Sequence, residues 1–187
     1  MNNYYTWITS KIAIGDCDSN YNDFDIVVNI NFPYNSVRKN TIYQNKYSDK
    51  IVYLVGLHDD ASEPMYDCLR HLIPKLYEDH YDKKILFHCY AGISRSSTLA
   101  LALLKYHSNS TLLNCYCYAK AKRPQILPNE GFIKALTDFT NDDSLEKFII
   151  KENIFKKNTV INKDNDAVNN VVNDVDNDKN NNVINRN

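Results

Sequence analysis

"LFHCYAGISRSSTLALALL", residues 86–104, opens on a short apolar run that reads as a strand and ends at His88 and Cys89. Arg95 follows the cysteine by six residues, then come the hydroxyl residues Ser96, Ser97 and Thr98 and a segment rich in leucine and alanine. That segment is apolar nearly all round, which predicts a helix buried at the centre of a domain. The pattern is therefore strand, turn, helix. One of only four glycines in the chain, Gly92, lies in the turn.

A turn of this kind, at a strand's carboxyl end and a helix's N-terminus, can point successive backbone N–H groups into one concavity and hold an anion there. Gly92 supplies the backbone freedom for that convergence. Arg95 adds a planar fork of donors that suits two oxygens of a tetrahedral oxyanion. Cys89 then lies at the floor of a cup that also favours its thiolate, the nucleophilic form. A thiolate in line with phosphorus implies phosphoryl transfer to sulfur. Ser96 can donate a hydrogen bond to that sulfur and ease its departure, and His88 fits a loop-holding role better than that of a base. The competing reading is a buried thiol with an arginine nearby by coincidence. His, Cys, Gly, Arg and Ser at these offsets should coincide in roughly one chain in ten thousand, which decides against it.

The first 155 residues alternate between strand and helix patterns. "KIAIGD", "FDIVVNI", "IVYLVGL" and "KKILFH" read as strands. "MYDCLRHLIPKLYEDH" carries Met65, Leu69, Leu72, Ile73 and Leu76 at helical spacing, with Pro64 suited to a first helical position and Pro74 expected to end or kink the helix. "STLLNCYCYAKAK", "NEGFIKALTDF" and "DSLEKFIIKENIF" predict three further helices. Such alternation implies an α/β domain with a central, mainly parallel sheet and helices on both faces.

At 187 residues, 43% of them hydrophobic and with a formal charge of −1, the chain suits one well-cored domain with no general attraction to nucleic acid or anionic membrane. It has no apolar run of membrane-spanning length and no signal-peptide pattern, which predicts an intracellular protein. Five cysteines at irregular spacing argue against a disulfide framework. Burial is the expectation for four of them, and Cys115 and Cys117 point apart on a helix rather than forming a metal pair. From residue 158 to the end, 12 of 30 residues are asparagine. Residues 156–187 are therefore expected to form a disordered tail behind a domain spanning 1–155.

"HCYAGISRSS" resembles the His-Cys-x5-Arg-Ser signature of the cysteine-dependent protein phosphatases, in the form used by the small dual-specificity branch. "KRPQILPNEGFIKAL", "KIAIGD" and "YLVGLHDDAS" are similar to three further segments of that branch, so the likeness covers about residues 6–140. Ala135 departs from it, standing where the branch often has Gln. The resemblance implies the compact phosphatase fold and a phosphoprotein substrate. Cys89 would be nucleophile and Arg95 phosphate clamp, with Ser96 assisting thiolate release. Tyr90, Ala91, Gly92, Ile93 and Ser94 would complete the phosphate cradle, with His88 and Asn129 supporting the loop. No cofactor or metal is implied. An aspartate of "HDDASE" would be the general acid: aligned on its preceding strand, Asp59 takes that place, Asp60 is the alternative, and Glu63 and Asp67 come next. Phosphatases of RNA 5′-triphosphates or phosphoinositides share the loop chemistry, but the five uncharged loop residues offer nothing to balance extra phosphate. A catalytically dead phosphopeptide-binding module would lack the nucleophile, clamp or acid, and this chain has all three.

Overall fold

A computed structural model describes residues 4–31, 42–47 and 50–152. In chain order the elements are β1 (Tyr5–Trp7), β2 (Ile12–Gly15), β3 (Ile26–Asn29), β4 (Ile42–Tyr47), β5 (Lys50–Val55), α1 (Met65–His80), β6 (Ile85–His88), α2 (Arg95–His107), α3 (Leu112–Lys122), α4 (Glu130–Thr140) and α5 (Ser144–Glu152). They form one six-stranded sheet in the order β1-β2-β6-β3-β5-β4. The four inner strands run parallel, and each edge strand is antiparallel to its neighbour. The sheet is thus mainly parallel, as the alternation of patterns predicts. The expected tail lies outside the described residues.

Strand side chains alternate between two apolar clusters, as the period of two requires. Ile12, Ile14, Ile26, Val28, Tyr53, Val55, Ile85 and Phe87 face the larger cluster, which holds buried residues from all five helices. Ala13, Val27, Val52, Leu54 and Leu86 face a smaller one closed by Tyr5 and Phe24, with Trp7 and Tyr21 against it. Helices were expected on both faces, but among the described residues none contributes to the second cluster. There, packed aromatic rings close the layer: Tyr5 meets Phe24 edge-on at 4.8 Å, and Trp7 lies 4.9 Å from Phe24.

Helix α2 is the buried centre expected of it, with every residue from Ser96 to Leu104 buried. Two expectations for α1 change. Pro64 stands at the N-cap rather than inside the first turn, and Pro74 does not end the helix, which continues to His80. An interior proline costs about 3 kcal/mol. The helix buries Met65, Cys68, Leu69, Leu72, Ile73 and Leu76, and each large apolar side chain returns about 1.5–3 kcal/mol. Burial wins. The thiols also differ from expectation: Cys68, Cys89 and Cys115 are buried, Cys117 is partly so, and Cys17 is exposed on the β2–β3 connection.

Candidate active site

The carboxyl ends of β2, β6, β3 and β5 lie side by side, and the turn after β6 begins between two of them. The Cys89 amide donates to the Gly15 carbonyl (3.4 Å), while the His88 carbonyl accepts from the Ile30 amide (2.9 Å). Four of the turn's carbonyls are tied by donors outside it or further along α2. Tyr90 O accepts from the Cys17 amide, Gly92 O from Arg123 Nε, Ile93 O from the Leu127 amide and Ser94 O from the Thr98 amide. On the other side, among the described residues, no group accepts from the amides of Tyr90 to Arg95. Carbonyls engaged and amides unclaimed is the polarity of an anion nest.

Gly92 lies at φ +66°, where a Cβ would fall 2.4 Å from Arg123 Nη2 and 2.7 Å from Gly15 O. Both the left-handed backbone and the contact demand glycine. Ser94 stands at the N-cap of α2 without capping it, so the helix's first amides and positive dipole end remain directed at the nest. Ser97 and Thr98 instead bond back to carbonyls of the turn: Ser97 to Ile93 O and Ser94 O, Thr98 to Ser94 O.

Cys89 is buried at the floor, its Sγ 3.3 Å from Ser96 Oγ. Arg95 Nη1 donates to Ile30 O (3.0 Å) and Leu57 O (3.2 Å). These bonds fix the guanidinium across the ends of β3 and β5. Its Nε is buried with no hydrogen-bond acceptor among the described residues, and lies 3.9 Å from Asp59 Oδ2. A buried donor of this kind is costly unless an anion comes to it. Tyr90, Ala91 and Ile93 are exposed at the rim, whereas Gly92 and Ser94 are buried in the turn.

The two candidate aspartates separate clearly. Asp59 Oδ1 accepts from Ser94 Oγ (2.6 Å) and Asn129 Nδ2 (2.8 Å), which holds the carboxyl beside the nest. Asp60 Oδ1 accepts from the amide and hydroxyl of Ser62 (2.8 and 2.6 Å), the turn-forming use of aspartate. Asp67 pairs with Arg70 on the surface of α1, and the Glu63 amide donates to Asp60 O in the turn.

His88 is buried, with Nε2 2.7 Å from the Tyr21 hydroxyl, so the ring ties the strand end to the β2–β3 connection. Burial pushes its pKa down to about 4, and burial also lowers those of His80 and His107. The unfolded chain binds protons at these imidazoles below about 6.5, where the folded chain does not. Stability should therefore be complete above pH 6.5 and fall as pH drops toward 4, with His88 alone accounting for about 3 kcal/mol. Urea unfolding between pH 7 and 5 checks the sign, and His88→Gln should flatten part of the slope. A wild-type stability that rose on acidification would show these imidazoles to be protonated in the fold.

Two supports carry no local sequence signal. Arg123 is buried behind the turn and spans Gly92 O and Thr6 Oγ1, each at 3.1 Å. Tyr21 is 67 residues from the histidine it anchors. Arg123 lies inside "KRPQILPNEGF", but only its burial against the turn reveals the role. Among the described residues, no group of three or more His, Cys, Asp or Glu could hold a metal ion, and no helix is long and apolar enough to cross a membrane.

A buried thiol beneath a turn with unclaimed amides, at the carboxyl edge of a mainly parallel sheet, is an arrangement suited to a tetrahedral anion. The family model for the dual specificity phosphatase catalytic domain matches residues 6–142. Over 130 residues the chain is 32% identical to a putative tyrosine phosphatase, 123R, of Invertebrate iridescent virus 6, covering 69% of this chain and 83% of that one. It is 53% identical over 55 residues to human dual specificity protein phosphatase 14, covering 29% of this chain and 27% of that protein. The crystal structure of human DUSP28 superposes with a TM-score of 0.60 over 75% of this chain and 95% of that one; at 17% identity this likeness concerns the fold. The chain belongs to the dual specificity phosphatase catalytic-domain family and is a protein phosphatase of that class.

Proposed function

We propose that this chain hydrolyses phosphotyrosine and phosphoserine/threonine monoesters in proteins through a cysteinyl-phosphate intermediate, with Cys89, Arg95, Asp59 and Ser96 as the reacting and stabilising groups. One observation carries this reading. The carbonyls of Tyr90, Gly92, Ile93 and Ser94 are engaged, while among the described residues no group accepts from the turn's amides and Arg95 Nε is buried without a hydrogen-bond acceptor. The amides and Arg95 hold the three non-bridging phosphoryl oxygens, and Sγ attacks phosphorus as the P–O ester bond breaks. Asp59 gives its proton to the departing oxygen. Water then attacks phosphorus, Asp59 takes the water's proton, and the P–S bond breaks. The Ser96 hydroxyl, 3.3 Å from Sγ, donates to the thiolate as it leaves.

Substrates with several phosphates fit less well. The rim residues Tyr90, Ala91 and Ile93 carry no charge, so a second or third phosphate would lose its hydration with no cation of the loop to replace it. Phosphate release from phosphotyrosine and phosphothreonine peptides, a phosphoinositide and a 5′-triphosphate RNA separates these cases. Both peptides are expected to turn over, with the polyanions at least tenfold slower. Turnover confined to the RNA or the lipid would sink the assignment.

A further inference from the structure

We propose that the aromatic, lysine-edged face at the amino ends of the sheet strands is a docking surface for this chain's own segment 164–178. The surface lies at the pole opposite the nest. Lys11 and Lys84 immediately precede β2 and β6, whose first residues, Ile12 and Ile85, are partners in register. The two lysines therefore stand side by side. Lys11 Nζ donates to the Tyr81 carbonyl (3.2 Å) and lies over that ring. Among the described residues neither lysine side chain pairs with a carboxylate. Asp25 instead accepts from the Lys84 backbone amide, and Asp79 and Asp82 are matched by Lys75 and Lys83.

Tyr81 follows Tyr77 by one helical turn, and from Tyr77 the rings run on toward α2 and α4. Tyr77 is 38% exposed and Tyr106 45%, and the two meet edge-on at 5.2 Å. His107 lies 4.6 Å from Tyr77, and Phe139 stacks 6.2 Å from Tyr106. A continuous ridge of half-bare rings keeps apolar surface in water, the mark of an interaction site.

The chain beyond α5 supplies a matching occupant. "DNDAVNNVVNDVDND", residues 164–178, carries five aspartates and no lysine or arginine, the charge opposite to that of the unmatched lysines. Val168, Val171, Val172 and Val175 recur at i, i+3, i+4 and i+7, the spacing of anchors on one helical face. The segment has too few apolar residues for a core of its own, so it buries them only against a surface supplied to it. Eleven residues separate Asp164 from Glu152, the last of α5. At about 3.3 Å per residue that connection spans up to ~40 Å, about the width of a domain this size. Tethering also sets an effective concentration on the order of millimolar, at which weak contacts suffice.

Zero-length carbodiimide cross-linking of the full chain, with monomer and any joined dimer separated and mapped by mass, tests this. In the monomer, the carboxylates of 164–178 should join Lys11 or Lys84 at least about fivefold more often than Lys134 or Lys151. Those two lysines are also exposed and are nearer the segment in sequence. Tyr77→Ser/Tyr106→Ser keeps every reacting amine and carboxyl, and the preference should fall about fivefold or more in it. Salt at about 0.5 M, which screens exposed charges, should weaken the preference too. The salt comparison uses the wild-type chain and stands whether or not the variant folds. Equal joining to Lys134 and Lys151, a preference untouched by salt, or one that survives in the folded variant would overturn the proposal. Links found only between two chains would overturn it as well, giving the ridge to a second copy.

Discussion

Cys89→Ser is expected to lower turnover of an aryl phosphate by on the order of 10⁴-fold or more, the scale of removing a catalytic nucleophile. The substitution is nearly isosteric, so the site should persist while its chemistry is lost. A serine hydroxyl needs a base to become nucleophilic. The nearest imidazole in sequence, His88, is bound to Tyr21 and held by burial at about 4, a weak base at neutral pH. Ser96, at 3.3 Å from the present sulfur, offers a hydrogen bond and cannot take a proton. Oxyanion binding should survive, because the amides of residues 90–95 and Arg95 Nε are untouched. Tungstate should still raise the melting temperature of the variant. Near-wild-type turnover by the serine protein would remove Cys89 from the mechanism, and loss of tungstate binding with the fold intact would remove the backbone nest.

The features legible in the sequence are those whose cause is local. The cup was readable because its geometry is encoded within seven residues: a strand end, a glycine that must take a left-handed backbone, and an arginine on the first turn of a helix. The inner strands were readable because burial on both faces makes them β-branched and continuous. The edge strands were not. β1 is three residues long, and β4, "IYQNKY", is largely polar, since an edge needs little apolar surface. Pro74 misled because a local penalty is outweighed by burial that local sequence does not show. Two supports of the site escaped for a related reason: Arg123 and Tyr21 act on groups 31 and 67 residues away, and the bond from Ser94, itself read as part of the cradle, to Asp59 spans 35; no spacing rule reaches that far.

Asp59 and Asp60 show that limit most sharply, and they carry the second large prediction. The two are chemically identical neighbours, so only their partners can divide the labour. Asp60 spends its Oδ1 on Ser62 at the turn leading into α1, while Asp59 reaches across to Ser94 and Asn129 at the nest. A positioned general acid contributes about 10²–10⁴-fold. Asp59→Asn should lower kcat by that amount on phenyl phosphate, where the leaving oxygen must be protonated as the bond breaks. On nitrophenyl phosphate the loss should be smaller, because that oxygen departs as a stable anion. The amide keeps the size of the carboxyl, so KM should change little. Asp60→Asn should cost only what a turn hydrogen bond contributes to stability, about 0.5–1.5 kcal/mol, with no dependence on leaving group. The reverse pattern would move the acid to Asp60, and it would leave the bonds from Ser94 and Asn129 to Asp59 with a purely structural part. The plot of log kcat against leaving-group pKa distinguishes the two, since only loss of the true acid makes that slope steeper.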